Sequence, residues 1–413
     1  MLKLHIENIL VREEKIMAEW ISKKLGEITL FITKGIPPKY VEEENQNTVR
    51  VLNQKCNRNF EISYDESRIH NAEIKKVPED KLLRCGDVLI NSTGTGTAGR
   101  VAQLFNVSVP TTIDGHMILL RPTEEINSIY YGYAIKSQQK KIESLAEGST
   151  GQTEINRQRL KDEIIITFPK EKMLQKAIGT LLLQIDEKIK NNKQINNNLE
   201  QQAQAVYYKM FSEVNTVPVE LSSIIDVRDG THDSPKAQAT GYYLITSKHL
   251  LPFGVDKASA NHISKADFDK INERSLVETQ DILMSMIGTI GLISYIPYET
   301  VDFAIKNVAL FKTSHTPELA YYFLCYLKSE KTLQHIGKCL AGSTQKYISL
   351  GELRKMPIYS PTTNEIREFN CLVKPMFEKI VSRTYENALL AEMRDSLLPK
   401  LMSGELDVSK IDI

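Results

Sequence analysis

The chain has 413 residues, with 52 Lys and Arg against 52 Asp and Glu, so its formal charge is zero. At about 100 to 200 residues per domain that length excludes one small domain, and the balanced charge excludes a basic coat made for indiscriminate nucleic-acid binding, so any DNA contact has to be local. The 41% hydrophobic and 25% charged fractions are those of a soluble globular protein, and the longest apolar run, around Ile28 to Ile32, is far short of the about 18 residues a membrane helix needs.

The N-terminal residues Met1 to Glu7 carry acid and base early and lack the apolar stretch and small-residue cleavage site of a secretory leader, which points to the cytoplasm. From about 20 to 169, short strand-like runs such as Asp87-Val-Leu-Ile and Met117-Ile-Leu-Leu alternate with Gly, Pro and Asn turns and with a helical pattern from Tyr130 to Leu145. Segment 170–211 differs in kind. Leu174, Ile178, Leu181, Ile185, Ile195, Leu199 and Val206 fall on steps of three and four, with Lys188, Asn192 and Gln202 at seam positions. Fully helical, it would be a rod of about 60 Å. The mixed pattern returns from 215 to 361, with runs at Asp281-Ile-Leu-Met and Val308-Ala-Leu-Phe and a helical stretch from Glu318 to Ile336. A second narrow stripe follows over 362–402: Phe369, Leu372, Met376, Ile380, Leu390, Met393, Leu397 and Leu401, with Arg383 corresponding to Asn192. Pro375 lies inside it and should kink or divide that helix.

These elements are written twice. Gly86-Asp-Val-Leu-Ile-Asn-Ser-Thr-Gly-Thr matches Gln280-Asp-Ile-Leu-Met-Ser-Met-Ile-Gly-Thr, with Asp87 and Asp281 standing 194 positions apart. Gly148-Ser-Thr-Gly-Gln-Thr-Glu-Ile matches Gly342-Ser-Thr-Gln-Lys-Tyr-Ile at the same offset, and Asp186-Glu-Lys-Ile echoes Phe377-Glu-Lys-Ile at 191. Three matches in one order indicate one α+β module of about 190 residues used twice, each copy ending in a long helix. A stripe this narrow needs a partner of matching length, and the other copy supplies it, most simply as an antiparallel coiled coil. The net charges of the two stretches, +3 for 170–211 and −2 for 362–413, favour that pairing.

Enzyme signatures do not assemble. Gly94-Thr-Gly-Thr-Ala-Gly99 fits GxGxxG, but Pro110 follows too soon for a βαβ unit and the second copy loses the spacing, so a tight glycine turn is the better reading. There is no P-loop and no HExxH, and the eight histidines are dispersed. The five cysteines, Cys56, Cys85, Cys325, Cys339 and Cys371, contain no CxxC and suit reduced thiols better than a disulfide or zinc frame. No metal site is expected.

Local charge is more telling. No acid occurs from Asn45 to Phe60, where Arg50, Lys55 and Arg58 stand among Asn53, Asn57, Asn59 and other amides. Amides can read adenine edges, Arg can read guanine, and either cation can hold phosphate. In the second copy the acid-free windows Ser234–Val255 and Lys331–Gly351 hold Lys236, Ser247, Lys248, His249 and Lys346. His232 and the two glycine-turn threonines, Thr95 and Thr289, complete the candidate DNA-contacting set.

Two divergent globular halves, the glycine turns, the Gly230-Thr-His-Asp-Ser-Pro235 loop, the Gly-Ser-Thr elements before each helix and the paired Lys-Ile helices together resemble the specificity subunit of type I restriction-modification systems. The resemblance covers nearly the whole chain, although Gly35-Ile-Pro-Pro lacks the Thr-His pair of Gly230-Thr-His. It implies target-recognition domains at 1–169 and 212–361, a spacer helix at 170–211, and a second spacer helix with a C-terminal tail at 362–413. It implies a non-catalytic subunit that reads a bipartite site on double-stranded DNA and carries two modification subunits and, with them, restriction subunits. S-adenosylmethionine, ATP and Mg would then belong to those partners, with no cofactor in this chain. Gly148, Thr150 and Gln152, with Gly342, Thr344 and Gln345, would form the partner-docking surface. A methyltransferase or nuclease with an unrecognised site, or an adaptor that binds only proteins, are the competing readings.

Overall fold

In the computed structural model, residues 19–148, 153–211, 217–342 and 346–406 are described. Two compact units divide them: residues up to Lys188 with those from Leu390 onward, and residues Ile189–Leu389. This line differs from a division at helix ends, because it cuts both long helices internally.

The first unit is built on strands β1 (Thr29–Lys34), β2 (Tyr40–Val41), β3 (Thr48–Leu52), β4 (Arg68–Asn71), β5 (Val88–Asn91), β6 (Val101–Gln103), β7 (Thr111–Ile113) and β8 (Met117–Pro122). They form two four-stranded sheets, ordered β1-β8-β5-β6 and β7-β3-β4-β2. The first sheet is antiparallel throughout, with Ile90 opposite Ile118, and in the second β7 runs parallel to β3. Alternate side chains of a strand face opposite ways, and both faces are used here. Val88, Ile90, Ile118 and Leu120 enter one core with Tyr130, Tyr131 and Tyr133 of helix α1 (Ser128–Ser137). Leu89, Met117 and Leu119 enter another with Leu52, Cys56 and Ile113. Burial on both faces explains why the sequence shows continuous apolar runs.

The second unit repeats this plan. Strands β9 (Val227–Asp229), β10 (Tyr242–Ile245), β11 (Asn261–Ile263), β12 (Ile282–Ser285), β13 (Ile293–Tyr295), β14 (Phe303–Ile305) and β15 (Val308–Phe311) form an antiparallel sheet β9-β15-β12-β13 and a three-stranded sheet β11-β10-β14 in which β10 and β14 are parallel. Ile282, Met284, Ala309 and Phe311 face the core with helix α4 (Ala320–Lys328), and Leu283, Val308 and Leu310 face Ile245 and Ile305. Helix α3 (Lys265–Ser275) packs beside β14.

Helices α2 (Lys172–Phe211) and α5 (Thr363–Ser403) are continuous. In the first unit Leu174, Ile178 and Leu182 share a core with Leu398, Leu401 and Met402, and Arg394 Nη1 donates to Asp186 at 2.6 Å. In the second unit Ala203, Tyr207 and Phe211 share a core with Phe369, Val373 and Phe377, and Asn192 donates to Glu386 and Asn387 at 2.8 and 2.9 Å. Rising numbers on one helix meet falling numbers on the other, so within each unit the pair is antiparallel.

Several expectations need correction. The buried stripe passes through Leu182, Ile189 and Tyr207 rather than Leu181, Lys188 and Val206, and Ile195 is exposed. Pro375 does not divide α5. Pro375 and Cys371, whose carbonyl loses its partner to the ring, are both exposed residues, while Val373, Phe377 and Ile380 hold the buried face. The helical stretches expected at Tyr130–Leu145 and Glu318–Ile336 are each split, the second at Ser329, whose hydroxyl caps a new helix by accepting from Thr332 N. No helix of the described residues is long and apolar enough to cross a membrane.

Candidate nucleic-acid interface

In each unit four loops gather where the strands of the two sheets end. In the second unit they follow β9, β10, β12 and β14: the Gly230–Pro235 loop, Thr246–His249, the turn at Gly288 and the pair Lys306–Asn307. The glycine of the first loop is dictated by packing. A Cβ on Gly230 would stand 2.3 Å from the Ile305 carbonyl oxygen, and one on its counterpart Gly35 would stand 2.0 Å from that of Ile113. The next residue of each loop donates to the same carbonyl, Thr231 N to Ile305 O at 3.0 Å and Ile36 N to Ile113 O at 2.9 Å.

His232 is fixed from both sides. Its Nδ1 lies 2.8 Å from Asn307 Oδ1 and its Nε2 3.1 Å from Asp229 Oδ2, while the buried Asp229 carboxylate is also ion-paired with Arg274 of α3. The ring remains largely exposed, so it is held in place and still presented to solvent. Between its loop and α3 lies a cleft of about 460 Å³ whose lining includes Lys270 and Arg274. On the other side of Asn307 a second cleft, of about 320 Å³, brings together three sequence candidates, Ser247, Lys248 and Thr289, with Lys306. Lys236 and Lys346 are exposed but do not line either cleft. His249 does not join the surface. It is buried, Thr246 N donates to its Nδ1 at 3.0 Å, and burial holds its pKa below the usual imidazole value.

The first unit places its acid-free run at the corresponding corner, with a different balance. Arg50 is tied to Glu44 at 2.6 Å and Lys55 lies 3.9 Å from Glu66, so acids just outside the run return to it in space. Asn53 caps the turn at 54–56, accepting from Lys55 N at 2.9 Å and donating to Glu66 O at 2.6 Å. Asn57 is a correction: it is fully buried, donating to Asn91 Oδ1 and Arg100 O at 3.1 and 2.9 Å, and cannot reach a base. Arg58 and Asn59 are exposed beside it, with Asn59 at φ 54°. Thr95 is exposed in the glycine turn, where Gly94, Gly96 and Gly99 all have positive φ, which is the tight-turn reading of GxGxxG.

Of the docking candidates, Gly148 and Gly342 are exposed and have positive φ. Thr150, Gln152, Thr344 and Gln345 lie outside the described residues. Sequence reasoning missed Lys306, Asn307, Lys270 and Arg274. The signal for the first two was the break they make between the apolar runs Phe303–Ile305 and Val308–Phe311. Among the described residues, no group of three His, Cys, Asp or Glu side chains is placed to hold a metal ion.

Comparison with known proteins agrees with the repeat. The family described as type I restriction modification DNA specificity domain matches residues 17–201 and again 214–369. Over 428 aligned positions the chain is 25% identical to the type I restriction enzyme MjaIX specificity subunit of Methanocaldococcus jannaschii, covering 96% of each protein. Over 133 residues it is 27% identical to the type I restriction enzyme HindI specificity subunit of Haemophilus influenzae, covering 32% of this chain and 28% of that one. The crystal structure of a type I restriction-modification system S subunit from M. genitalium superposes with a TM-score of 0.55 at 17% identity, covering 94% of this chain and 98% of that one, which carries the fold alone.

Proposed function

Because the chain belongs to the type I restriction modification DNA specificity family and carries its domain twice, we propose that it is the sequence-reading subunit of a restriction-modification assembly, each unit reading one half of a bipartite duplex site. The observation that carries this reading is the recurrence of one loop cluster in two units with different side chains. The backbone repeats, with Gly35 and Gly230 seated on equivalent strand ends. The side chains do not: exposed Lys55, Arg58 and Thr95 in one unit, and exposed His232, Lys248 and Thr289 with half-buried Ser247, Lys306 and Asn307 in the other. A fixed scaffold with variable loop chemistry suits two halves of a site with unrelated sequences.

The chain does no covalent chemistry in this proposal. Methyl transfer to adenine from S-adenosylmethionine is the work of two modification subunits, and ATP- and Mg-dependent cleavage that of restriction subunits. The elements at Gly148 and Gly342 serve docking. Such a reader needs little net charge, because much of the phosphate grip falls to its partners.

The test is methylome sequencing of the host with and without this chain. A bipartite methylated motif should disappear on deletion and return with the intact gene. Methyl incorporation by the purified chain alone, or a methylome unchanged by its loss, would overturn the reading.

A further inference from the structure

The two loop clusters differ in one respect that composition does not reveal. In the first unit the space beside the glycine turn is filled. Gln54 occupies it, its Oε1 accepting from Thr97 Oγ1 at 3.3 Å, and a Cβ on Gly94 would stand 2.4 Å from that same oxygen. In the second unit the turn at 54–56 recurs at 247–249, so Ser247 stands where Gln54 does. The shorter side chain leaves the place open. A Cβ on Gly288 would meet nothing within 4 Å, and the 320 Å³ cleft lies there.

Charge differs in the same sense. The residue after the parallel strand is Asp114 in the first unit and Lys306 in the second, each bridged to the glycine-led loop at its equivalent position, Ile36 or Thr231. Lys248 and Lys306 line the open cleft together with Ser247, Thr289, Asn307, Ile287 and Leu292, and among the described residues no carboxylate lines it. Lys306 Nζ donates one bond, to Ser234 Oγ. An ammonium has three donors, so among the described residues two have no partner. Among the described residues no aromatic ring lines the cleft, so they offer a base nothing to stack on. Two cations, two hydroxyl-bearing side chains and no carboxylate among the described residues fit an anion.

We propose that the cleft between Ser247, Thr289 and Lys306 is a seat for a DNA backbone phosphodiester, present in the second unit and closed by Gln54 in the first. It rests on the DNA-reading function proposed above. It makes the two halves unequal: the second unit is anchored by phosphate at this corner, and the first is not.

The test uses the full-length chain assembled with its modification subunits and a duplex carrying its methylation motif. Ser247→Gln places in the second unit the side chain that closes the cleft in the first. It should reduce the slope of log affinity against log salt by about 0.9, the loss of one phosphate contact. Amine acetylation read by mass spectrometry should show Lys248 and Lys306 protected several-fold by the duplex in the parent protein and unprotected in Ser247→Gln. Lys248→Ala with Lys306→Ala provides a second variant without added bulk and should give the same loss of slope. Sequence-preferring binding with an unchanged slope in both variants overturns the phosphate seat and leaves the reading function standing. Protection by inorganic phosphate at the duplex concentration would assign the cleft to a free anion and overturn it too. Failure of the parent complex to prefer any duplex sequence overturns both.

Discussion

The Lys312 ammonium donates to the Asp281 carboxylate at 2.7 Å with both side chains sealed from solvent, and the pair recurs in the first unit as half-buried Arg121 and buried Asp87, at 2.8 Å. Even the surroundings repeat. Arg121 also donates to the Leu82 carbonyl and Lys312 to that of Leu276, while each carboxylate accepts from the backbone N–H three residues before it. Lys presents a point charge where Arg presents a planar fork. The second unit adds Glu278, 2.6 Å from Lys312, and that contact holds the Glu278 carboxyl below its ordinary value.

Lys312→Met should therefore cost about 3–5 kcal/mol, because it leaves Asp281 buried and uncompensated. Lys312→Arg, the residue the other unit uses, should retain most of the stability. Urea denaturation followed by a probe in the second unit measures both, and a loss below about 1 kcal/mol for Lys312→Met would mean that the pair is not what holds this corner together.

Gln280 takes the position that Gly86 takes in the first unit, and both have positive φ, 71° and 91°. The left-handed conformation costs a side-chain-bearing residue about 1–2 kcal/mol, and replacing it by Gly gives back about 0.4–1 through the freer unfolded chain. Gln280→Gly should thus be neutral or stabilising by up to about 1.5 kcal/mol, whereas Gly86→Ala, whose Cβ would also stand 3.2 Å from that of Ser128, should destabilise by about 1 to 2. Melting curves of the two variants should move in opposite directions or the first not at all. A clear loss of stability in Gln280→Gly would show that its side chain does something the glycine turn of the first unit does without.

The contrast between these positions shows what the amino-acid sequence could convey. Apolar runs such as Val88–Ile90 and Val308–Phe311 were legible because each is buried on both faces, and the offset of Asp87 from Asp281 was legible because the strand that follows them is repeated. The helix stripe slipped by one residue, to Leu182 and Tyr207, because a regular heptad drifts against a real helix of about 3.6 residues per turn. Acid-free windows misled in a different way. Glu44 and Glu66 are outside the run from Asn45 to Phe60 yet return to Arg50 and Lys55 in space, and Asn57 within it turns inward to bind the backbone of the next sheet. Charge along a chain and charge across a surface are set by different neighbours. Ser247, Lys248 and Thr289 were legible as candidates, but not that they line an open cleft, since that depends on the length of one side chain, Ser247 against Gln54.

Lys136 offers a test by pH within the first unit. Its Nζ is buried without a hydrogen bond, 4.4 Å from the centre of the Phe60 ring and 3.9 Å from Asp186. Tyr133 Oη donates to Asp186 at 2.7 Å and Arg394 also binds it, so that carboxylate is shared, with Asp395 and Glu61 farther out. Desolvation outweighs Asp186 and lowers the Lys136 pKa to about 8. The unfolded chain therefore holds this proton more tightly than the folded one, and stability should rise with pH from about 8 toward the ordinary lysine value. Tyr133, whose pKa is raised by burial, opposes only above the tyrosine range. Lys136→Met should be more stable than the parent at pH 7, and the gap should close as pH rises through that window. A gap that is constant from pH 7 to 10 would show that the folded protein keeps Lys136 charged throughout.

Asn192 is the buried polar residue of the helix pairing in the second unit. It is 1% exposed and gives both amide protons to α5, to Glu386 and Asn387. A buried amide in a helix seam fixes the pairing at some expense of stability, because a misaligned partner leaves it unbonded. Asn192→Ala should cost about 1–3 kcal/mol, the hydrogen bonds and the packing being lost together. Asn192→Leu separates the two, since it restores apolar volume without the amide, and should recover most of that loss while admitting a slipped register. Spin labels on exposed Lys193 and Lys379 would report the register as a distance distribution, single in the parent and broadened or doubled in Asn192→Leu. A single unchanged distance would mean that the flanking apolar contacts of Ile380 and Ala203 set the register without it.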